Sequence, residues 1–235
     1  MSVPTSPAGE EPLVFPLGHH MGPFHQHRGA PPSYWIVRLG WDSPLLHDQA
    51  SADVWALAHG LSDSVGLQPW TRSEVRRAAT EAGIADSDAV LDGLIERGLV
   101  AEVSPGTPAA AEFARTHRVQ SLLLGLGELP DEQGVDGIGL FGLPPLARVL
   151  LGTYEFWQWG HLWPTLAEAA EGLAEMAAQS PQHAPDEADP EQVLDRLLRE
   201  LHELLAVGAV YLDLSFAAAD AQRAADAERF PGTPR

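Results

Sequence analysis

The feature that most restricts what this chain can fold into is that it reads as two related halves. At an offset of 102 residues Gly40 falls on Gly142, Asp53 on Glu155, Trp55 on Trp157 and His59 on His161. At an offset of 103, Asp86, Val90, Leu91, Asp92, Leu94 and Ile95 fall on Asp189, Val193, Leu194, Asp195, Leu197 and Leu198. Between these blocks, WTRSEV and PTLAEA each place a threonine three residues before an acid, which is what a helix N-cap and its first turn require. After them, GLVAEV and GAVYLDL share a glycine exit into an alternating apolar stretch, the pattern of helix, C′ glycine and β-strand. Two Ala-rich helical segments would match at some positions by chance, but an ordered series of Gly, Trp, His, cap, acid-capped helix and Gly-strand exit is harder to obtain that way.

The 235 residues suffice for one large domain or two small ones without covalent staples. The chain has no cysteine, which removes disulfides, thiolate metal sites and cysteine nucleophiles, and suits a reducing compartment. The N-terminal MSVPTSPAGEEP carries no basic stretch followed by an apolar run, and no apolar stretch approaches the ~20 residues that span a bilayer. A cytoplasmic protein without membrane contact is expected.

In the first half SYWIVRLG reads as a strand, rich in β-branched and aromatic residues and ended by Gly40. A helix follows from about Ala52 to His59. The next, capped by Thr71, places Val75, Ala78, Ala79 and Ala82 on one face; the third begins near Asp86 and buries Val90, Leu91, Leu94 and Ile95 before Gly98. A capped helix, a short turn, a second helix with a V-L-x-x-L-I face and then R-G-L-V entering a strand resemble the winged-helix superfamily, best over residues 71–103. The expected fold is mainly α with short β-strands (α+β), as two tandem winged-helix-like units related by internal duplication. The boundaries read as a flexible His/Pro/Gly-rich arm at 1–32, unit one at 33–103, unit two at 109–214 and a tail at 215–235 that forms a final exposed helix or stays disordered. A linking amphipathic helix is expected over AAAEFARTHRVQSLLLGLGEL, a loop over 128–137, and a long Pro-rich acidic loop over 179–190.

Charge narrows function. All 14 basic residues are arginine, against 33 acidic ones, for a net charge of −19; Arg-for-Lys usage with much Ala, Gly and Pro suggests a GC-rich genome. A DNA-reading winged helix presents cations from its third helix, yet here that helix offers Asp86, Asp88, Asp92 and Glu96, with Arg97 alone of the favourable sign. Arg72, Arg76 and Arg77 are the candidate phosphate contacts, or else a solvated face paired with Glu74 and Glu81. The layout and charge resemble those of the kleisin-interacting adaptor subunits of chromosome-organising complexes, which implies a protein partner. The expected function is therefore a non-catalytic regulatory or scaffolding adaptor. A DNA-binding transcriptional regulator is the alternative, for which a homodimer could assemble a basic stripe; a metal-binding protein or an enzyme of unknown type comes third.

His19, His20, His25 and His27 fall within nine residues and are candidate metal ligands, with no cysteine or spaced acid to complete a geometry. The competing reading is an aromatic arm that docks on a partner. His59 and His161 read as helix C-terminal histidines that cap carbonyls. Trp55 and Trp157 read as core, leaving Phe15, Phe24, Trp159 and Trp163 as candidate interface residues. No catalytic motif is present: no GxSxG, Walker loop, HExxH or dinucleotide fingerprint, and the acids of GLGELPDEQGVDGIGLFG oppose phosphate. No catalytic residue and no cofactor is expected.

Overall fold

The computed structural model describes residues 10–64, 66, 68–181 and 184–229, with eight α-helices and ten strands among them. The class is mixed α+β. The first half runs β1 (Leu13–Pro16), β2 (His19–His25), β3 (Pro32–Arg38), β4 (Leu45–Leu46), α1 (Gln49–Leu57), α2 (Arg72–Glu81), α3 (Ser87–Glu96) and β5 (Val100–Val103). After α4 (Pro108–Thr116) the second half runs β6 (His117–Ser121), β7 (Leu124–Glu128), β8 (Val135–Gly139), β9 (Ala147–Leu150), α5 (Leu151–Trp159), a 3-10 turn at Gly160–Leu162, α6 (Leu166–Ala178), α7 (Pro190–Leu205) and β10 (Val210–Leu214). Helix α8 (Phe216–Arg229) follows.

Each half opens on a strand that pairs antiparallel with its last strand, β1 with β5 and β6 with β10, and each holds a three-stranded meander, β2-β3-β4 and β7-β8-β9. The two meanders share a bulge at the same place, between His20 and Gly22 in β2 and between Gly125 and Gly127 in β7, and β2 has a second irregularity between Phe24 and His25. The tryptophans do the same work in both halves. The Trp55 indole N–H donates to the carbonyls of Leu17 (3.3 Å) and Leu99 (3.1 Å), and that of Trp157 to Leu122 (3.0 Å) and Ala209 (3.2 Å). Those carbonyls come one residue after the first strand and one residue before the last strand of each half, so each indole locks the strand pair shut over its helices.

The glycine exits form as their sequences predict. Gly98 and Gly208 take φ of 65° and 67°, left-handed backbone that glycine adopts without a steric penalty, and the next amides return to the carbonyls of Leu94 and Leu204. Thr165 caps α6 by accepting from the Glu168 amide at 3.1 Å. Thr71 begins α2 without a side-chain cap bond, and Asp86 enters α3 at a left-handed φ of 52°.

Three expectations are corrected. Residues 13–25 of the expected flexible arm are strands β1 and β2, and Leu13 to Leu17 are buried because β1 closes against β5; residues 1–9 lie outside the described part. The linking helix stops at Thr116: from His117 the chain is strand, since Val119 and its neighbours pair with β10 and the apolar residues beyond belong to β7. For the tail the structure takes the helical alternative: residues 216–229 form α8, which packs against the β3–β4 turn, with Gly40 against Ala219 and the Trp41 indole donating to Asp220 at 2.8 Å. Within the expected loop at 128–137, residues 135–137 belong to β8.

One buried apolar cluster runs through both halves. Phe15 joins them, stacked on Phe113 (5.8 Å between ring centres) and on His202 of α7 (4.8 Å).

Candidate functional site

The first half holds an open cleft of about 430 Å³ beside the Trp55 indole. Its walls come from β2 (His20), β3 (Trp35) and α1 (Ala52, Asp53, Trp55) with His59, and the C-terminal end of α7 closes the far side. The His59 ring sits edge-on to Trp55 at 4.6 Å, and its Nδ1 lies 3.1 Å from the carbonyls of Trp55 and Ala56, so Nδ1 carries the proton and donates, as a helix C-terminus invites. Desolvation pushes its pKa down to about 4, so the ring is neutral near pH 7. His20 stands on the outer side, exposed, 6.0 Å from the Trp55 ring.

The arginine cluster is neutralised from within. Arg72 reaches Glu102 and Asp92, both at 2.7 Å, Arg77 reaches Glu74 (2.9 Å) and Glu81 (2.8 Å), and Arg76 faces Asp88 at 3.6 Å. The carboxylates of Glu102 and Asp92 hold the Arg72 guanidinium firmly in its charged form. Arg97 donates to the Leu45 carbonyl at 2.6 Å. Two acids of α3 that would repel a phosphate backbone, Asp88 and Asp92, are thus partners of arginines that would attract one.

The four N-terminal histidines are not gathered around one point. His19 stacks on Tyr211 at 4.5 Å, His20 faces Trp55, the Nδ1 of His25 bonds the Ala30 carbonyl at 2.7 Å, and His27 makes only a local contact. Strand alternation sends His19 and His20 to opposite faces of β2. Among the described residues no three His, Cys, Asp or Glu side chains form a group that could hold a metal ion.

Of the candidate interface residues, Phe15 is core at 0% exposure, because β1 closes against β5 and its ring stacks on Phe113 and His202. Phe24 is exposed and stacks on Tyr34 at 4.8 Å; Trp159 is partly exposed. Trp163 packs over Gly172 of α6, where a methyl group would overlap the indole ring. Gly172→Ala is therefore expected to displace Trp163 and cost about 1–3 kcal/mol, read as a lowered urea midpoint; an unchanged midpoint would mean that the ring is free to move.

Two features escape sequence reading. The first is the β8–β9 end of the second meander, where Leu140, Phe141, Leu143 and Leu146 are 44–76% exposed beside Leu124 of β7. GLFGLPPL carried the signal: an apolar turn in a place where turns are usually polar. The corresponding β3–β4 turn is covered by α8. The second is Asp213 of β10, buried at 1% exposure between Arg38 of one half and Arg118 of the other.

The chain matches no protein-family model, no curated protein and no solved structure. No helix among the described residues is long and apolar enough to cross a membrane.

Proposed function

We propose that this chain is a non-catalytic adaptor, built from two divergent copies of a winged-helix-like unit, that binds a protein partner through the second meander. The shared element order, the paired tryptophan locks and the matching bulges support descent from one unit. The observation that carries the function is the uncovered apolar turn: Leu124, Leu140, Phe141, Leu143 and Leu146 together expose on the order of 500 Å² of surface, a size at which patches on monomers are often functional. Phe141, at 76% exposure, is its most accessible aromatic group. The ion-paired arginines, in a chain of net charge −19, favour a protein over a phosphate backbone.

The test compares the native protein with Phe141→Asp. Because Phe141 is exposed, the substitution is expected to leave stability within about 0.5 kcal/mol. Proteins captured by the native chain and lost with the variant are purified and titrated against both; affinity is expected to fall by at least tenfold. Equal affinity for both proteins would reject the surface. Binding of generic duplex DNA that weakens steeply with salt would reject the adaptor reading, and self-association abolished by Phe141→Asp would make the occupant a second copy.

A further inference from the structure

In the second half, the space beside the Trp157 ring is filled by the chain itself. Tyr154, one turn earlier on α5, lies 5.4 Å from Trp157, and its hydroxyl sits over Gly125 of β7, where any side chain would collide with it. The first half holds Trp55 between the same two kinds of carbonyl, but one turn earlier α1 has Ala52, and the strand position matching Gly125, three residues beyond the bonded carbonyl and beside the same bulge, is His20. Large and small residues have changed sides, and the exchange does not fill the space. His20 stands off, and the cleft of about 430 Å³ remains, within the ~300–1,000 Å³ range of small-ligand sites.

We propose that this cleft binds an aromatic ring carrying a hydrogen-bond donor, a phenol or an indole, set beside Trp55 as Tyr154 is set beside Trp157, with His20 on its outer side. Trp35 and Trp55 offer aromatic walls, and tilted or offset rings are the arrangement such walls favour. Two acceptors stand at the cleft for the donor. The His59 Nε2 is a lone-pair acceptor once Nδ1 is committed to the helix carbonyls, and it has no hydrogen-bond partner among the described residues. Among the described residues the Asp53 carboxylate holds only the Gln49 amide, at 2.6 Å. A ring without a donor would leave both acceptors unanswered, which gives the site its selectivity.

The probe is p-cresol, titrated into nitrogen-15-labelled full-length protein while the indole N–H signals are followed. Saturable shifts of the Trp55 and Trp35 signals are expected, with toluene at least fivefold weaker. Ala56→Phe, on the exposed side of α1 at the cleft, is expected to abolish the response without disturbing the core; Ala52→Tyr, restoring the second-half residue, is expected to do the same. Phe141→Asp is expected to leave it unchanged, which separates this site from the proposed protein surface. A Gly-Gly-Tyr-Gly-Gly peptide in parallel tells the two sources of the ring apart: shifts with both ligands assign a tyrosine side chain, shifts with p-cresol alone a free small molecule. Unmoved Trp55 and Trp35 signals, or an undiminished response in Ala56→Phe, would overturn the proposal.

Discussion

Asp213→Ala is expected to destabilise the protein by about 3–5 kcal/mol, the cost of removing one partner from a buried ion pair and leaving the other charge unanswered. The Asp213 carboxylate accepts from Arg38 at 3.0 Å, from the Gly40 amide at 2.7 Å and from the Leu214 amide at 3.0 Å, and Arg118 lies 3.7 Å away. The same Arg38 donates to the Tyr211 hydroxyl at 2.6 Å, and Arg118 lies over the Phe216 ring at 3.8 Å. Alanine would leave two guanidinium groups facing each other across the joint between the halves, and the Gly40 and Leu214 amides without this acceptor. Urea denaturation followed by circular dichroism reads the effect. In a double-mutant cycle with Arg38→Met, the pair is expected to cost less than the sum of the single changes. A loss below about 1 kcal/mol for Asp213→Ala would show that the joint does not depend on this carboxylate.

Acid is expected to loosen the same joint. His202 is 4% exposed, stacked on Phe15, with its Nε2 donating to the Val14 carbonyl at 2.7 Å, and burial pushes its pKa down to about 4; His59 is likewise held near 4 by desolvation. In the unfolded chain a histidine titrates at about 6.5. Above that value both states are neutral and the full stability is present. As pH falls from 6.5 towards 4 the unfolded state takes up protons that the folded state refuses, so stability is lost across that window. His19 and His117, also shifted down chiefly by desolvation, act in the same direction. Glu155 and Glu203, raised chiefly by burial, oppose it, because they bind protons more readily when folded. With two strongly shifted histidines, up to about 2 kcal/mol is expected to be lost per pH unit in the middle of the window, since one proton is worth ~1.4 kcal/mol per unit and the acids offset part. Urea midpoints between about pH 7 and pH 5 measure the slope. His202→Phe, which keeps the ring stack, is expected to reduce it by close to one proton. An unchanged slope in that variant would sink the assignment to His202.

Much of the local structure was legible because it is written in short-range patterns. The Thr165 cap, the left-handed glycines at 98 and 208, the buried Leu91 and Leu94 face of α3 and the Arg77 pairs with Glu74 and Glu81 all join residues within one or two helical turns. The matched tryptophans were legible as core, since a large indole flanked by apolar residues in a helix must be covered. The sequence also carried the adverse charge of α3, and two of the three arginines it pointed to as phosphate contacts, Arg72 and Arg76, are salt-bridged to acids of that helix.

What escaped reading depends on partners far away in the chain. Residues 13–25 look like a loose arm because Pro, Gly and His are poor strand formers, and they become strands only through β5, nearly ninety positions on, and β3. The tail has too few apolar residues to announce a docked helix, and it needs Gly40 and Trp41 to hold it. Asp213 reads as an ordinary polar residue of an alternating strand until Arg38 and Arg118 arrive from either side. The sequence by itself determined helices α2, α3, α6 and α7, the glycine exits of α3 and α7 and the charge, because those follow from backbone preference and apolar spacing along a few residues. Only the tertiary structure decided which surfaces stay open, at the cleft beside Trp55 and the turn around Phe141, because exposure is settled by what the rest of the chain brings to cover a residue.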